Sequence, residues 1–221
     1  MDRRRRKSRT AAPGLTSRSV LAWSPIDSGA PGTVLFSQGT PARDAFLLLE
    51  GLVRLTHRLS DGRASIVGLR GRGALLGVEA AGARRPHPLT AIAVTTCRWQ
   101  RVSARDWAGK PRAEAKSWVH AARLEEHERQ IVQSAGLARL SARERLEAHL
   151  DFVRAELAHG SLRPGAEVEL PLRDRELAQL LAITPSYLSR LMRELEREGR
   201  LIRSGQRARI VVPADTERRA A

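Results

Sequence analysis

The segment from Asp174 to Arg193 constrains the fold of this chain more than any other. It reads as two short helices joined by a tight turn. Leu177, Ala178 and Leu181 form the inner face of the first helix, and Ala182 and Ile183 form the turn. Thr184 is placed as an N-cap, and Pro185 stands at the first helical position, where a missing N–H costs nothing. Leu188, Leu191, Met192 and Leu195 recur at helical spacing on one face of the second helix. Its other face presents Ser186, Tyr187, Ser189, Arg190 and Arg193, all groups that bond bases or phosphates. A helix-turn-helix needs this combination of an apolar inner face, small residues at the crossing and a polar, basic outer face.

Glu198 and Gly199 end the second helix, with glycine at the usual left-handed cap. Two short strands, Leu201 to Arg203 and Ala208 to Val212, follow around a turn at Ser204 to Arg207. That pattern predicts a wing carrying Arg203, Arg207 and Arg209. A plain helical bundle with a solvated basic face would lack it. The net charge of +15 favours a polyanionic partner. Residues 184–209 hold seven Arg against three Glu, so the charge of the last domain gathers on the second helix and the wing.

Residues 1–20 hold seven Lys or Arg against one Asp and few apolar groups, and are expected to be disordered. No apolar core follows the basic run, so the expected compartment is the cytoplasm, with no membrane partner. Cys97 is the single cysteine, which excludes a disulfide within the chain and a thiolate cluster for zinc or iron–sulfur. A run of short strands is expected at Thr33 to Phe36, Ala45 to Glu50, Leu52 to Leu59 and Ile66 to Leu69. Two more lie between Leu89 and Val102. Gly51, the Ser60-Asp61-Gly62 hairpin and Gly71 to Gly73 punctuate them, as in a small sandwich or barrel.

Ser103 to Asp106 resembles a capping box, and a long helix is expected from about Arg112 to Ala135, with a hinge at Gly136 and Ser141. Its best heptad seam is Ala121, Leu124, Glu128, Ile131, Ala135 and Ala138. Two readings fit that seam: pairing with a second copy, or an amphipathic face lying on the chain's own domain. A further helix from Ala142 to Ala158 turns Leu146, Leu150, Phe152, Val153 and Leu157 inward and ends at His159 and Gly160.

The order is a small β domain, a long helix and a winged helix-turn-helix. With it, the chain resembles the CRP/FNR family of bacterial transcription regulators over about residues 30–212. Gly32 to Gly39 matches the family's opening strand and turn, Phe46 to Leu55 its next two strands, and Gly62 its hairpin. Glu176 to Ala178 and the Ser189-Arg190 pair match its DNA-binding signature. The resemblance implies an α+β fold. Its parts would be a β-roll sensor domain at 21–110, a dimerisation helix at 111–136 and a winged helix-turn-helix domain at 137–221, after the basic tail. It implies a homodimer reading an inverted repeat in double-stranded DNA, with RNA polymerase as a further partner and no enzymatic activity. A weakly specific, nucleoid-like DNA-binding protein is the alternative.

The departures concern the effector. Relatives that bind cyclic AMP carry a Gly-Glu pair in a short loop, for the ribose, and an Arg-Ser or Arg-Thr pair, for the phosphate. Gly73 to Gly77 matches that loop, but Ala74 stands in place of the Glu, and the phosphate pair falls on His87 and Pro88. Pro88 offers neither an N–H nor a hydroxyl. Arg84 and Arg85 lie close enough in sequence to replace it. No cofactor is expected, and cyclic AMP is not expected to bind. His57, His87, His120 and His127 are the histidines that could serve a haem. At the DNA, Ser186 occupies a place where relatives often present Glu to a cytosine amino group, and Pro185 one that often carries Arg. The sequence read should therefore differ from the best-known sites, with Arg190 placed to contact guanine.

Overall fold

The computed structural model describes residues 25–104, 113–157, 163, 165–204 and 207–212. The basic tail, the second half of the segment read as a capping box, His159, Gly160 and the turn residues Gly205 and Gln206 lie outside the described residues.

The first half is built from eight strands: β1 (Ile26–Gly29), β2 (Val34–Phe36), β3 (Asp44–Glu50), β4 (Val53–Arg58), β5 (Ala64–Arg70), β6 (Leu75–Leu76), β7 (Thr90–Ala93) and β8 (Cys97–Ser103), with α1 (Val78–Ala83) between β6 and β7. They form two antiparallel four-stranded sheets, ordered β1-β8-β3-β6 and β2-β7-β4-β5. Alternation decides which side chains meet between the sheets. Phe46, Leu48, Val53, Leu55, Ala91, Ala93, Cys97 and Trp99 are buried in one cluster. Cys97 is a core residue, and burial pushes its thiol pKa up. Gly51 joins β3 to β4 at φ +87°, against Thr96 O and Cys97 Sγ, where no side chain fits. The sequence reading missed β1, β6 and α1, and placed the other strand ends within two residues.

The long helix α2 (Ala113–Arg139) lies with one row on the β-roll. Val119 is buried there, with Trp118 and Ala122 packed beside it against the Ala45, Leu47 and Val102 cluster. Further along, Glu126 receives a bond from Arg70 Nε at 2.9 Å, and Gln133 Nε2 donates to Val67 O at 3.1 Å. The expected hinge at Gly136 is corrected: the helix runs through it to Arg139, with Leu140 N still bonded to Gly136 O. A glycine costs a helix about 1 kcal/mol relative to alanine. That is too little to end a helix followed by Leu137, Ala138 and Arg139.

The break comes at Ser141. Its hydroxyl and its N–H both donate to Glu144 Oε2, at 2.7 and 2.8 Å, and start α3 (Ala142–Leu157). The last domain continues with β9 (Glu167–Glu169), α4 (Asp174–Leu180), α5 (Pro185–Arg197), β10 (Leu201–Ser204) and β11 (Arg207–Val211), the strands ordered β10-β11-β9. Its core holds Leu146, Leu150, Val153, Leu177, Leu188, Met192, Leu195, Leu201 and Ile210. Phe152 and Leu157, read as inward, are only partly buried. Leu52 and Leu69 of the β-roll belong to the same cluster, so the two domains share one apolar contact. Arg54 pairs with Glu176 beside it, and Arg72 N donates to Glu156 Oε2 at 2.7 Å. No helix among the described residues is long and apolar enough to cross a membrane.

Candidate nucleic-acid interface

Helix α5 is fixed at both ends by local chemistry. Thr184 Oγ1 accepts from Tyr187 N at 3.2 Å, which caps the first turn with Pro185 at its start. Gly199 at φ +69° ends it, with Arg200 N bonded back to Leu195 O. Leu188, Leu191, Met192 and Leu195 are buried beneath it, as their spacing predicted. The preceding turn is held by Ile183 N on Ala178 O, with Ala182 at φ +52°.

The opposite face carries the residues singled out from sequence. Thr184, Ser186, Tyr187, Arg190 and Arg193 are exposed, and Ser189 is half-buried. The guanidinium of Arg190 lies over the Tyr187 ring, 4.6 Å from its centroid. Arg193 Nε donates to Ser189 O at 3.3 Å, and the hydroxyls of Thr184 and Ser186 are 3.2 Å apart. Acids at the end of α5 are engaged by neighbouring elements. Glu198 accepts from Arg143 of α3 at 2.7 Å, and Glu196 accepts from Arg203 N at 3.3 Å. The bonds with Arg143 hold the Glu198 carboxyl below its ordinary pKa.

The wing differs from expectation in one respect. Each of its three arginines meets a carboxylate: Arg203 with Asp174 at 3.1 Å, Arg207 with Glu169 at 3.3 Å, and Arg209 with Glu167. Glu167 and Glu169 belong to β9, an element the sequence reading did not name. Its signal was Glu-Val-Glu alternation, which pairs with Arg209, Ile210 and Val211 and is too short to announce a strand unaided. Arg207 and Glu169 are both largely exposed, so their pair is worth about 0–1 kcal/mol.

The seam of α2 is the second predicted surface. Leu124 and Ile131 are 52% and 54% exposed, and Glu128 and Ala135 also face solvent, whereas Ala121 is half-buried. The residues touching the β-roll (Val119, Ala122, Glu126 and Gln133) form a different row. The reading of the seam as a face lying on its own domain therefore fails for Leu124 and Ile131.

In the β-roll, Gly77 stands at φ +74° as the N-cap of α1, close against His87. His87 is 4% exposed and its ring stacks on Phe36 at 4.0 Å. Burial pushes its pKa down, and its Nδ1 has no hydrogen-bond partner among the described residues. Ala74 is buried in the apolar cluster with Phe36 and Phe46. Gly73 sits at φ +84° in open space, and Arg84 and Arg85 are exposed. Of the other histidines, His57 Nδ1 is bonded to Pro88 O at 3.1 Å, and His120 and His127 are exposed on α2. Among the described residues, no three His, Cys, Asp or Glu side chains gather as a metal site.

A family model described as a cyclic nucleotide-binding domain matches residues 28–109, and one described as a Crp-like helix-turn-helix domain matches residues 137–215. The transcriptional activatory protein AadR of Rhodopseudomonas palustris is 31% identical over 189 residues, covering 83% of this chain and 76% of that protein. The chain belongs to the CRP/FNR family. The nitrogen fixation regulation protein FixK of Bradyrhizobium diazoefficiens is 29% identical over 170 residues, 76% of this chain and 70% of that one. A solved CRP-family regulator, TTHB099 of Thermus thermophilus, shares the fold. Its TM-score is 0.69 at 24% identity, over 88% of this chain and 96% of that one. As a CRP/FNR protein the chain is a DNA-binding transcription regulator, with a β-roll ahead of its winged helix-turn-helix.

Proposed function

We propose that this regulator works as a homodimer that reads an inverted repeat through α5, holds phosphates through the wing, and does not respond to cyclic nucleotides. The observation that carries the DNA reading is the outer face of α5. Arg190 and Arg193 have no ion pair among the described residues, and they project from a helix capped at both ends and packed from beneath. Leu124 and Ile131, exposed along α2, supply a seam for a second copy, and two-fold pairing would set two recognition helices on matching half-sites. Assembly beside RNA polymerase on the same DNA belongs to this reading.

The assignment predicts two kinds of loss. Arg190→Ala should cost roughly 1–3 kcal/mol on the preferred site and relax preference at one base pair of each half-site. Arg207→Ala should weaken all sequences about equally and lower the salt slope by roughly one unit per chain. Affinity for a selected site, a one-base mismatch and random DNA, each at several salt concentrations, separates the two. Equal loss on all three for Arg190→Ala would reduce it to a phosphate contact and favour the weakly specific alternative.

The β-roll residues do not fit a cyclic nucleotide. Ala74 offers no carboxylate to a ribose, Pro88 has no donor for a phosphate, and His87 packs on Phe36 and Gly77 with its ring buried. Placing a phosphate against the buried apolar side of that cluster would cost several kcal/mol without matched donors. Calorimetry with cyclic AMP and cyclic GMP should show no binding at micromolar concentration. A low-micromolar dissociation constant coupled to DNA affinity would contradict this.

A further inference from the structure

We infer that Tyr187 is the positioning residue for Arg190, and that the stacked pair sets the preference at one base pair of each half-site. The inference rests on the reading of α5 as the recognition helix. Tyr187 and Arg190 are three residues apart, so their side chains leave the same face of the helix. The guanidinium carbon of Arg190 lies 4.6 Å from the centre of the Tyr187 ring. The ring itself starts from a rigid point, because the Tyr187 N–H is the one that Thr184 Oγ1 caps.

The other arginines of this surface are held differently. Arg203, Arg207 and Arg209 are held by carboxylates, and Arg193 gives its Nε–H to a backbone carbonyl. Each of those arrangements uses donors, and the carboxylates also offset charge. A ring face restrains the plane of the guanidinium and uses none of its five N–H groups. Arg190 therefore keeps its whole donor edge for O6 and N7 of a guanine while losing much of its rotational freedom beforehand. The neighbouring hydroxyls of Thr184 and Ser186 lie within hydrogen-bonding distance of each other. The stacked pair is the long, oriented group of the first two turns.

The test uses the full chain and four variants: Tyr187→Ala, Tyr187→Phe, Arg190→Ala and the double Ala variant. The readout is the ratio of affinities for the selected site and for a site changed at the base pair whose preference Arg190→Ala erases. Tyr187→Ala keeps the backbone cap. It should reduce that ratio by about two- to fivefold per half-site, the factor expected of an exposed cation–π contact. Tyr187→Phe keeps the ring and should keep the ratio. In the Arg190→Ala background, removing Tyr187 should leave the ratio unchanged. The inference is overturned if Tyr187→Ala weakens all DNAs equally with the ratio intact, or if Tyr187→Phe loses as much as Tyr187→Ala. If Arg190→Ala erases no preference at any base pair, the recognition reading itself fails, and this inference falls with it.

Discussion

Ile131→Asp should convert the protein to a monomer in sedimentation at micromolar concentration and lower its affinity for an inverted repeat by a factor on the order of 10²–10⁴. The side chain is 54% exposed in the single chain, so the substitution costs the isolated fold little. In a paired seam it would set two like charges against an apolar surface, at a desolvation cost of several kcal/mol. The loss on DNA follows because binding at the second half-site ceases to be intramolecular. Circular dichroism should show the helices intact. A wild-type protein that is itself monomeric at that concentration would contradict the dimer.

Acidification should destabilise the DNA-binding domain between pH 6.5 and about 4, by roughly 3 kcal/mol. The cause is His149 in α3, which is 9% exposed and whose Nε2 has no hydrogen-bond partner among the described residues. Burial pushes its pKa down to about 4. The unfolded chain takes up this proton near pH 6.5 and the folded one resists until about pH 4. Across that window the unfolded state binds more protons, so stability is complete above 6.5 and falls as pH falls. His149→Leu should remove this part of the slope. Thermal unfolding of both proteins from pH 7.5 to 4 gives the comparison. Parallel curves would show that the carboxylates alone account for the acid sensitivity.

The recognition helix was legible in sequence because its determinants are local. Thr184, Pro185, the apolar positions from Leu188 to Leu195, and Gly199 lie within about four turns of one another. The strands of the β-roll were legible through alternation and glycine turns. The two-residue β6 and the three-residue β9 were not, because elements so short carry no period. Of the two residues read as the hinge, Gly136 was misread, since one glycine costs a helix too little to end it; Ser141 does mark the break, through the capping box it forms with Glu144. The burial of His149 and the pairs Arg54–Glu176 and Arg70–Glu126 depend on contacts between distant segments, which periodicity does not encode. The wing lies between these cases. Its arginines were visible, but the carboxylate partners of Arg207 and Arg209 appear only when β9 pairs with β11.

Selection of bound sites from random DNA by the full-length protein tests the central claim most directly. The account predicts enrichment of an inverted repeat whose half-sites lie about one helical turn, 10–10.5 base pairs, apart. It also predicts that one base pair in each half-site loses its preference when the selection is repeated with Arg190→Ala. Recovery of no common sequence, or of a single asymmetric element unchanged by Arg190→Ala, would contradict it.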